Sequence, residues 1–148
     1  MNYTTIHPLI QPQFWQVIHF GQEAEKSVTF LVTDAKKRSG FLRPVFSRNR
    51  GDYDMILYVA SWPTPRVAAW SALLVARAIE NQCYVAGVNR VGTDPACEYC
   101  GGSVVIDPYG KTIAACEMGE ECEASAEVDM AMLEAFREKF PALNDADI

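Results

Sequence analysis

An α/β layered domain is the fold class the sequence predicts, on three observations. Two short apolar runs, "DMILYVAS" (54–61) and "CYVAGVNRVG" (83–92), read as strands buried on both faces. Between them "RVAAWSALLVARAIENQ" (66–82) lacks Gly and Pro and is rich in Ala and Leu, as a helix should be. After them "GSVVIDPYGKTIAAC" reads as a hairpin, its turn set by Pro108 in the second and Gly110 in the fourth position. The resulting order, β-α-β-β-β-α, suits helices layered on a sheet.

Taken in order, residues 1 to about 26 resist reading. Pro8 and Pro12 interrupt any early helix, and the apolar residues follow neither a period of two nor of 3.6. "SVTFLVTD" (27–34) is rich in β-branched residues and predicts a strand. "AKKRSGFLRPVFSRNRGD" is polar and turn-like, and its basic residues between Lys36 and Arg50 predict a solvated loop. After the 54–61 strand, "WPTP" must be loop, because two prolines do not continue a ladder. The 66–82 helix is apolar almost all round. Its exceptions are Arg66, Ser71, Arg77, Glu80 and the terminal Asn81-Gln82, with Arg77 and Glu80 spaced to pair. So little wet surface calls for cover on two sides. "CEASAEVD" (122–129) alternates as a half-exposed strand does, and "MAMLEAFREKF" (130–140) predicts an amphipathic helix ended by Pro141.

The totals narrow the function classes. A chain of 148 residues suits one domain with a real core. The net charge of −6 argues against nucleic acid as a partner, since phosphate binding wants a basic surface. No run approaches the ~18 apolar residues of a membrane span, and no signal-peptide pattern opens the chain, so a cytoplasmic location is expected. Five cysteines, an odd number, fit free thiols better than a disulfide framework. Cys97-Glu98-Tyr99-Cys100 has the spacing of half a zinc site or of a redox pair. No second such pair follows, and Cys100 runs into Gly101-Gly102 rather than opening a helix, which weighs against both readings. No metal or cofactor is expected. Cys83 and Cys116 sit in apolar surroundings and read as inert core thiols.

Several stretches together resemble the carbon–nitrogen hydrolase (nitrilase) superfamily, and within it the omega-amidase type. They are "YDMILYVASWP", the Arg-starting helix ending "ARAIENQ", "GVNRVGTD", the Gly-Ser strand with its Asp-Pro-x-Gly turn, and "REKFPALNDAD". The likeness runs from about Leu42 to Asp147. It divides the chain into an atypical, unassigned segment (1–41) and the C-terminal part of a hydrolase domain (42–148). The resemblance implies a partial nitrilase-type α-β-β-α sandwich and a homo-oligomer or partner subunit meeting the 66–82 helix. It also implies hydrolysis of the terminal amide of small dicarboxylic acid monoamides. In such enzymes a Cys thiolate attacks the amide carbon, a Glu serves as general base, and a Lys helps hold the oxyanion.

The same resemblance exposes a departure. The nucleophile normally opens the run Cys-Tyr-Asp-Leu-Arg-Phe-Pro. Here Leu42-Arg43-Pro44 matches its end without the Phe, and counting back three residues from Leu42 places Ser39 at the nucleophile position. Neither Glu23, Glu25, Lys36 nor Lys37 has the neighbours expected of the Glu and Lys. Serine needs an adjacent base, and both histidines precede Ser39 in the unread segment. No catalytic residue is therefore assigned, and the chain is expected to be inactive alone. A non-catalytic dimerisation or binding module of the same fold is the alternative. A reading-frame slip beside Arg43 would leave such a seam, with the missing Cys-Tyr-Asp run encoded upstream in another frame. Ser61, Trp62 and Pro63 are the substrate-pocket candidates by resemblance, and core packing is the competing role for Trp62. Asn89 and Arg90 are the candidates for meeting a carboxylate, with a structural salt bridge as the other reading.

Overall fold

Residues 3–6, 17–22, 30–34 and 48–145 are described in a computed structural model of the chain. The expected strand of 27–34 is present as β3 (Phe30–Asp34), preceded by β1 (Tyr3–Ile6) and β2 (Val17–Gln22), which no periodicity announced. Both are short, and "VIHFGQ" keeps no strict alternation. The remaining strands are β4 (Met55–Ala60), β5 (Tyr84–Asn89), β6 (Val91–Thr93), β7 (Glu98–Cys100), β8 (Val104–Ile106), β9 (Thr112–Ala115) and β10 (Glu123–Val128). The helices are α1 (Val67–Glu80) and α2 (Met130–Lys139).

The main sheet has the order β3-β4-β5-β8-β9, with β3, β4 and β5 parallel and β8 and β9 antiparallel. A second sheet, β1-β2-β10, pairs β2 parallel to β10. β6 and β7 form a separate ribbon. The predicted 83–92 strand is thus two strands, broken at Arg90. The predicted hairpin is present: Gly110 N donates to Asp107 O (2.9 Å), and Gly110 has φ +85, which glycine adopts without strain.

Alternation along β4 divides the core. Met55 and Leu57 join Ala86, Val88 and Val105 against Ala126 and Val128 of β10, filling the space between the two sheets. Ile56, Tyr58 and Ala60 face the other way, onto Trp70, Leu74 and Ala78 of α1. The layers therefore run helix, sheet, sheet, as expected of a partial α-β-β-α sandwich. β10 shows the period-two burial its sequence predicts. α1 lies so close to β5 that only glycine fits beneath it. A Cβ at Gly87 would stand 2.5 Å from Leu74 Cδ1 and 2.9 Å from Trp70 Cζ2.

The helix expected over 66–82 ends at Glu80 because its last residues form a cap. Gln82 N donates to Ile79 O and Cys83 N to Ala78 O, the paired bonds of a Schellman motif. Gln82 takes the left-handed position, at φ +44, that glycine usually fills. Its buried Nε2 donates to Phe140 O (2.7 Å), tying this cap to the end of α2. α2 itself starts on Asp129, whose carboxylate accepts from Met132 N at 2.9 Å.

Candidate functional site

The parallel strands β3, β4 and β5 all point their carboxyl ends at one edge, where ligands of open α/β sheets gather. At that edge β4 runs into Ser61-Trp62-Pro63 and β5 into Asn89-Arg90, so these five candidates lie together. Ser39 falls five positions beyond the end of β3, outside the described residues. The candidate general base and lysine, Glu23, Glu25, Lys36 and Lys37, also lie outside them. So do most of the basic residues of the 36–50 stretch; Arg48 and Arg50 are exposed.

Asn89 organises the edge. It is fully buried, and its Oδ1 accepts from Trp62 N at 2.7 Å. Its Nδ2 donates to Trp62 O (3.1 Å) and to Gly101 O (2.7 Å). Its main chain is closed by Ser103, with Asn89 N donating to Ser103 Oγ (2.9 Å) and that hydroxyl donating back to Asn89 O (3.2 Å). Both amide hydrogens and the amide oxygen are bonded to backbone, so Asn89 braces three segments rather than presenting its amide to a ligand. It fixes the loop that carries Trp62.

Trp62 is nearly buried. Its Nε1 donates to Arg66 O at 2.6 Å, the Arg66 guanidinium lies 5.3 Å from its ring, and its ring stands 5.9 Å from that of Trp70. Trp70 Nε1 in turn donates to Gly102 O (2.8 Å). Arg90 is held by the β6–β7 ribbon. Its guanidinium sits 4.5 Å over the Tyr99 ring, with Nη1 3.5 Å from Asp94 Oδ2. Tyr99 OH donates to the same oxygen at 2.8 Å. That hydroxyl, then the N–H groups of Ala96 and Cys97, hold the Asp94 carboxyl below its ordinary range. Burial, reinforced by Asp94, pushes the Tyr99 phenol up to about 12.

Beside Trp62 lies an open, largely apolar depression of ≈ 520 Å³, between Pro63, Thr64, Pro65 and Arg66 on one wall and Ala96, Cys97 and Glu98 on the other. Of the five predicted pocket residues, Pro63 lines it. Ser103 and Asp94, which the sequence did not single out, join the candidate edge, as does Tyr99, which the resemblance had set in a loop on the active-site side. Asp94-Pro95 is a turn signal that could have marked the ribbon. Cys97 closes the turn before β7, its N–H donating to Asp94 Oδ1 (2.8 Å), whereas Cys100 ends that strand. Among the described residues no three His, Cys, Asp or Glu side chains gather as a metal site. No helix among them is long and apolar enough to cross a membrane.

A helix-sheet-sheet stack, with a braced Trp-Pro loop at the carboxyl ends of parallel strands, defines a layered α/β sandwich protein. The family model for carbon-nitrogen hydrolase matches residues 42–138, and the chain belongs to that family. It is 57% identical over 105 residues to an omega-amidase, YafV, of Escherichia coli K12, a match covering 70% of this chain and 41% of that one. It is 45% identical over 92 residues to a 2-oxoglutaramate amidase of Bacillus subtilis, covering 61% and 35%. A CN-hydrolase superfamily structure from Xanthomonas campestris superposes with TM-score 0.67 at 32% identity, over 100% of this chain and 51% of that one. The chain spans about two fifths of the length of the E. coli relative it matches.

Proposed function

We propose that this chain carries the C-terminal, pocket-forming part (42–148) of an omega-amidase-type carbon–nitrogen hydrolase and does not turn over amides by itself. The observation that carries this reading is the Asn89 brace, which holds Ser61-Trp62-Pro63 at the carboxyl ends of β4 and β5 with Arg90 alongside. The 57% identity to an omega-amidase over 105 residues supports it. In this reading the Trp62 loop walls the acyl part of a small dicarboxylic acid monoamide. Arg90, preorganised over Tyr99, faces its free carboxylate. The reaction would need a thiolate to attack the amide carbon and a base to take and return protons, whereas the nucleophile position reads Ser39. Five free cysteines agree with a reducing, cytoplasmic setting.

Ammonia release from a small ω-monoamide tests this directly. The unmodified chain is expected to release none above the buffer rate. Turnover that disappears in Ser39→Ala would overturn the proposed inactivity and make Ser39 the nucleophile.

A second reading, a non-catalytic module that dimerises through the 66–82 helix, draws on the outward face of α1. There Ala68, Ala69 and Ala72 are exposed and Ile79 is 51% exposed. Sizing the chain alone and with a full-length relative separates the readings, because a pairing module shifts to the size of a mixed dimer.

A further inference from the structure

The depression beside the Trp62 loop is bounded by two opposite charges that amide chemistry leaves idle. On one wall Arg66 is exposed, and among the described residues its guanidinium touches only the Trp62 ring, 5.3 Å away. On the other wall Glu98 is exposed at the start of β7, and among the described residues its carboxylate has neither an ion pair nor a hydrogen bond. Arg66 is held in place. Its carbonyl accepts from Trp62 Nε1 (2.6 Å) while its guanidinium lies over the same indole, so one ring fixes both ends of the residue.

The first wall calls for an anion. Arg66 is the N-cap of α1, its side chain makes no capping bond, and the first turn holds no acidic residue, so a cation adds to the positive end of the helix dipole. On the same wall Thr64 Oγ1 is buried without a hydrogen-bond partner. A guanidinium and a hydroxyl there both have protons to donate and lack an acceptor, whereas Glu98 across the gap offers acceptors and lacks a donor. Between them Pro63, Pro65 and Ala96 supply apolar surface, and the volume of ≈ 520 Å³ falls within the about 300–1,000 Å³ of small-molecule sites.

We propose that this depression binds the zwitterion of an aliphatic α-amino acid, its carboxylate at Arg66, its ammonium at Glu98 and its side chain on the two prolines and Ala96. The inference is independent of the amide reading, because the ligand undergoes no reaction and meets charges which that reading does not use. An aliphatic acid without an ammonium would leave Glu98 unanswered, and an amine without a carboxylate would bring a cation toward Arg66. A molecule with both charges answers both walls, and the mismatch of the other two supplies the discrimination.

The full chain, isotope-labelled, is titrated with L-leucine and followed by its amide and indole N–H chemical shifts. The expected result is saturable movement of the Trp62 indole N–H and of the Arg66, Ala96 and Glu98 amides, half complete at about 1 mM. Isocaproate, which is leucine without its ammonium, and isoamylamine, which lacks the carboxylate, should each bind at least about tenfold more weakly. Arg66→Gln and Glu98→Gln should each weaken leucine by about tenfold or more, while Glu98→Gln leaves isocaproate no weaker than before. Both side chains are exposed, so neither replacement opens the core. Should Arg66→Gln disturb the Trp62 loop, Glu98→Gln and the two analogues still decide. Absence of saturable shifts up to about 50 mM leucine, equal binding of isocaproate or isoamylamine, or leucine affinity untouched by Glu98→Gln would overturn the proposal.

Discussion

The two ends of the parallel strands are each held by a buried asparagine, yet they are built for different work. At the amino ends Asn49 Nδ2 donates to Tyr53 O (2.8 Å) and Asn81 O (3.0 Å), while its Oδ1 accepts from Gly51 N and Asp52 N. Arg137 of α2 closes over this end, reaching Gln82 O (3.0 Å), Tyr53 O (3.0 Å) and Asp54 Oδ1 (2.7 Å). At the carboxyl ends Asn89 holds Trp62 and Gly101, but among the described residues no helix closes over it, and an apolar depression lies open beside the loop. Among the described residues, one end is sealed by its own chain and the other is braced and left accessible. A saturated buried amide is therefore not by itself the mark of a site, and what the brace leaves uncovered is.

The sharpest way to break this comparison is to remove both braces in turn. Asn89→Ala removes three hydrogen bonds in a buried place, to Trp62 N, Trp62 O and Gly101 O, each worth about 1–3 kcal/mol, so a loss of about 4 kcal/mol or more is expected. Urea denaturation measures it, and tryptophan emission should shift red as the Trp62 loop loosens. Asn49→Ala should cost less, about 2 kcal/mol, because water replaces the acceptor at exposed Gly51 and Asp52 and Tyr53 O keeps Arg137, which leaves Asn81 O as the buried carbonyl that loses its Asn49 donor. Equal losses would mean that the carboxyl edge is as well watered as the other.

Next in size is the closure of the amino end. Arg137→Ala deletes a guanidinium that bonds three partners on two segments, and a loss of about 2 kcal/mol is expected. Arg137→Lys should not restore it, since one ammonium does not reproduce the planar fork. Recovery by lysine would reduce this closure to simple charge pairing with Asp54. Smaller again is Gln82→Gly. It relieves a left-handed non-glycine residue, worth about 1 kcal/mol, and forfeits the bond to Phe140 O, worth about 1 kcal/mol. The two nearly cancel, so calorimetry should find a change below about 1 kcal/mol; a loss beyond about 2 kcal/mol would make the Gln82 amide the main link between α1 and α2.

Sequence pattern exposed the two ends unequally. The strands β4, β5 and β10, the hairpin of β8 and β9, and both helices were legible because each has a strong period or a turn of definite chemistry. The β6–β7 ribbon was not, since three-residue strands carry no period. Asp94 fell out of view with it, and Tyr99 was reached only through the resemblance. β1 and β2 were hidden by prolines nearby and by mixed composition. Trp62, Asn89 and Arg90 could be chosen as residues of one edge, but not assigned roles. Whether an amide braces or binds depends on where Trp62 and Gly101 place their backbone, and those lie 27 and 12 positions away.

The smallest effect tests what poises Arg90. The Asp94 carboxyl, held low first by the Tyr99 hydroxyl and last by Arg90, favours the native state above the ordinary carboxylate value of 3.8. That contribution disappears as pH falls through the lower native value. Tyr99→Phe removes the largest of these causes and leaves the Ala96 and Cys97 N–H groups in place. Asp94 should then titrate higher, part of the way back toward 3.8, and acid loss should begin at a higher pH. Carboxyl carbon chemical shifts followed through an acid titration report this without any need for turnover. Arg90→Gln should move the same titration less, because hydrogen bonds act here at closer range than a guanidinium 3.5 Å away in partial solvent. The reverse order would mean that Arg90 is spent on Asp94 as a structural ion pair. Its proposed role toward a substrate carboxylate would then have to be given up, and the carboxyl edge would be as self-contained as the amino one.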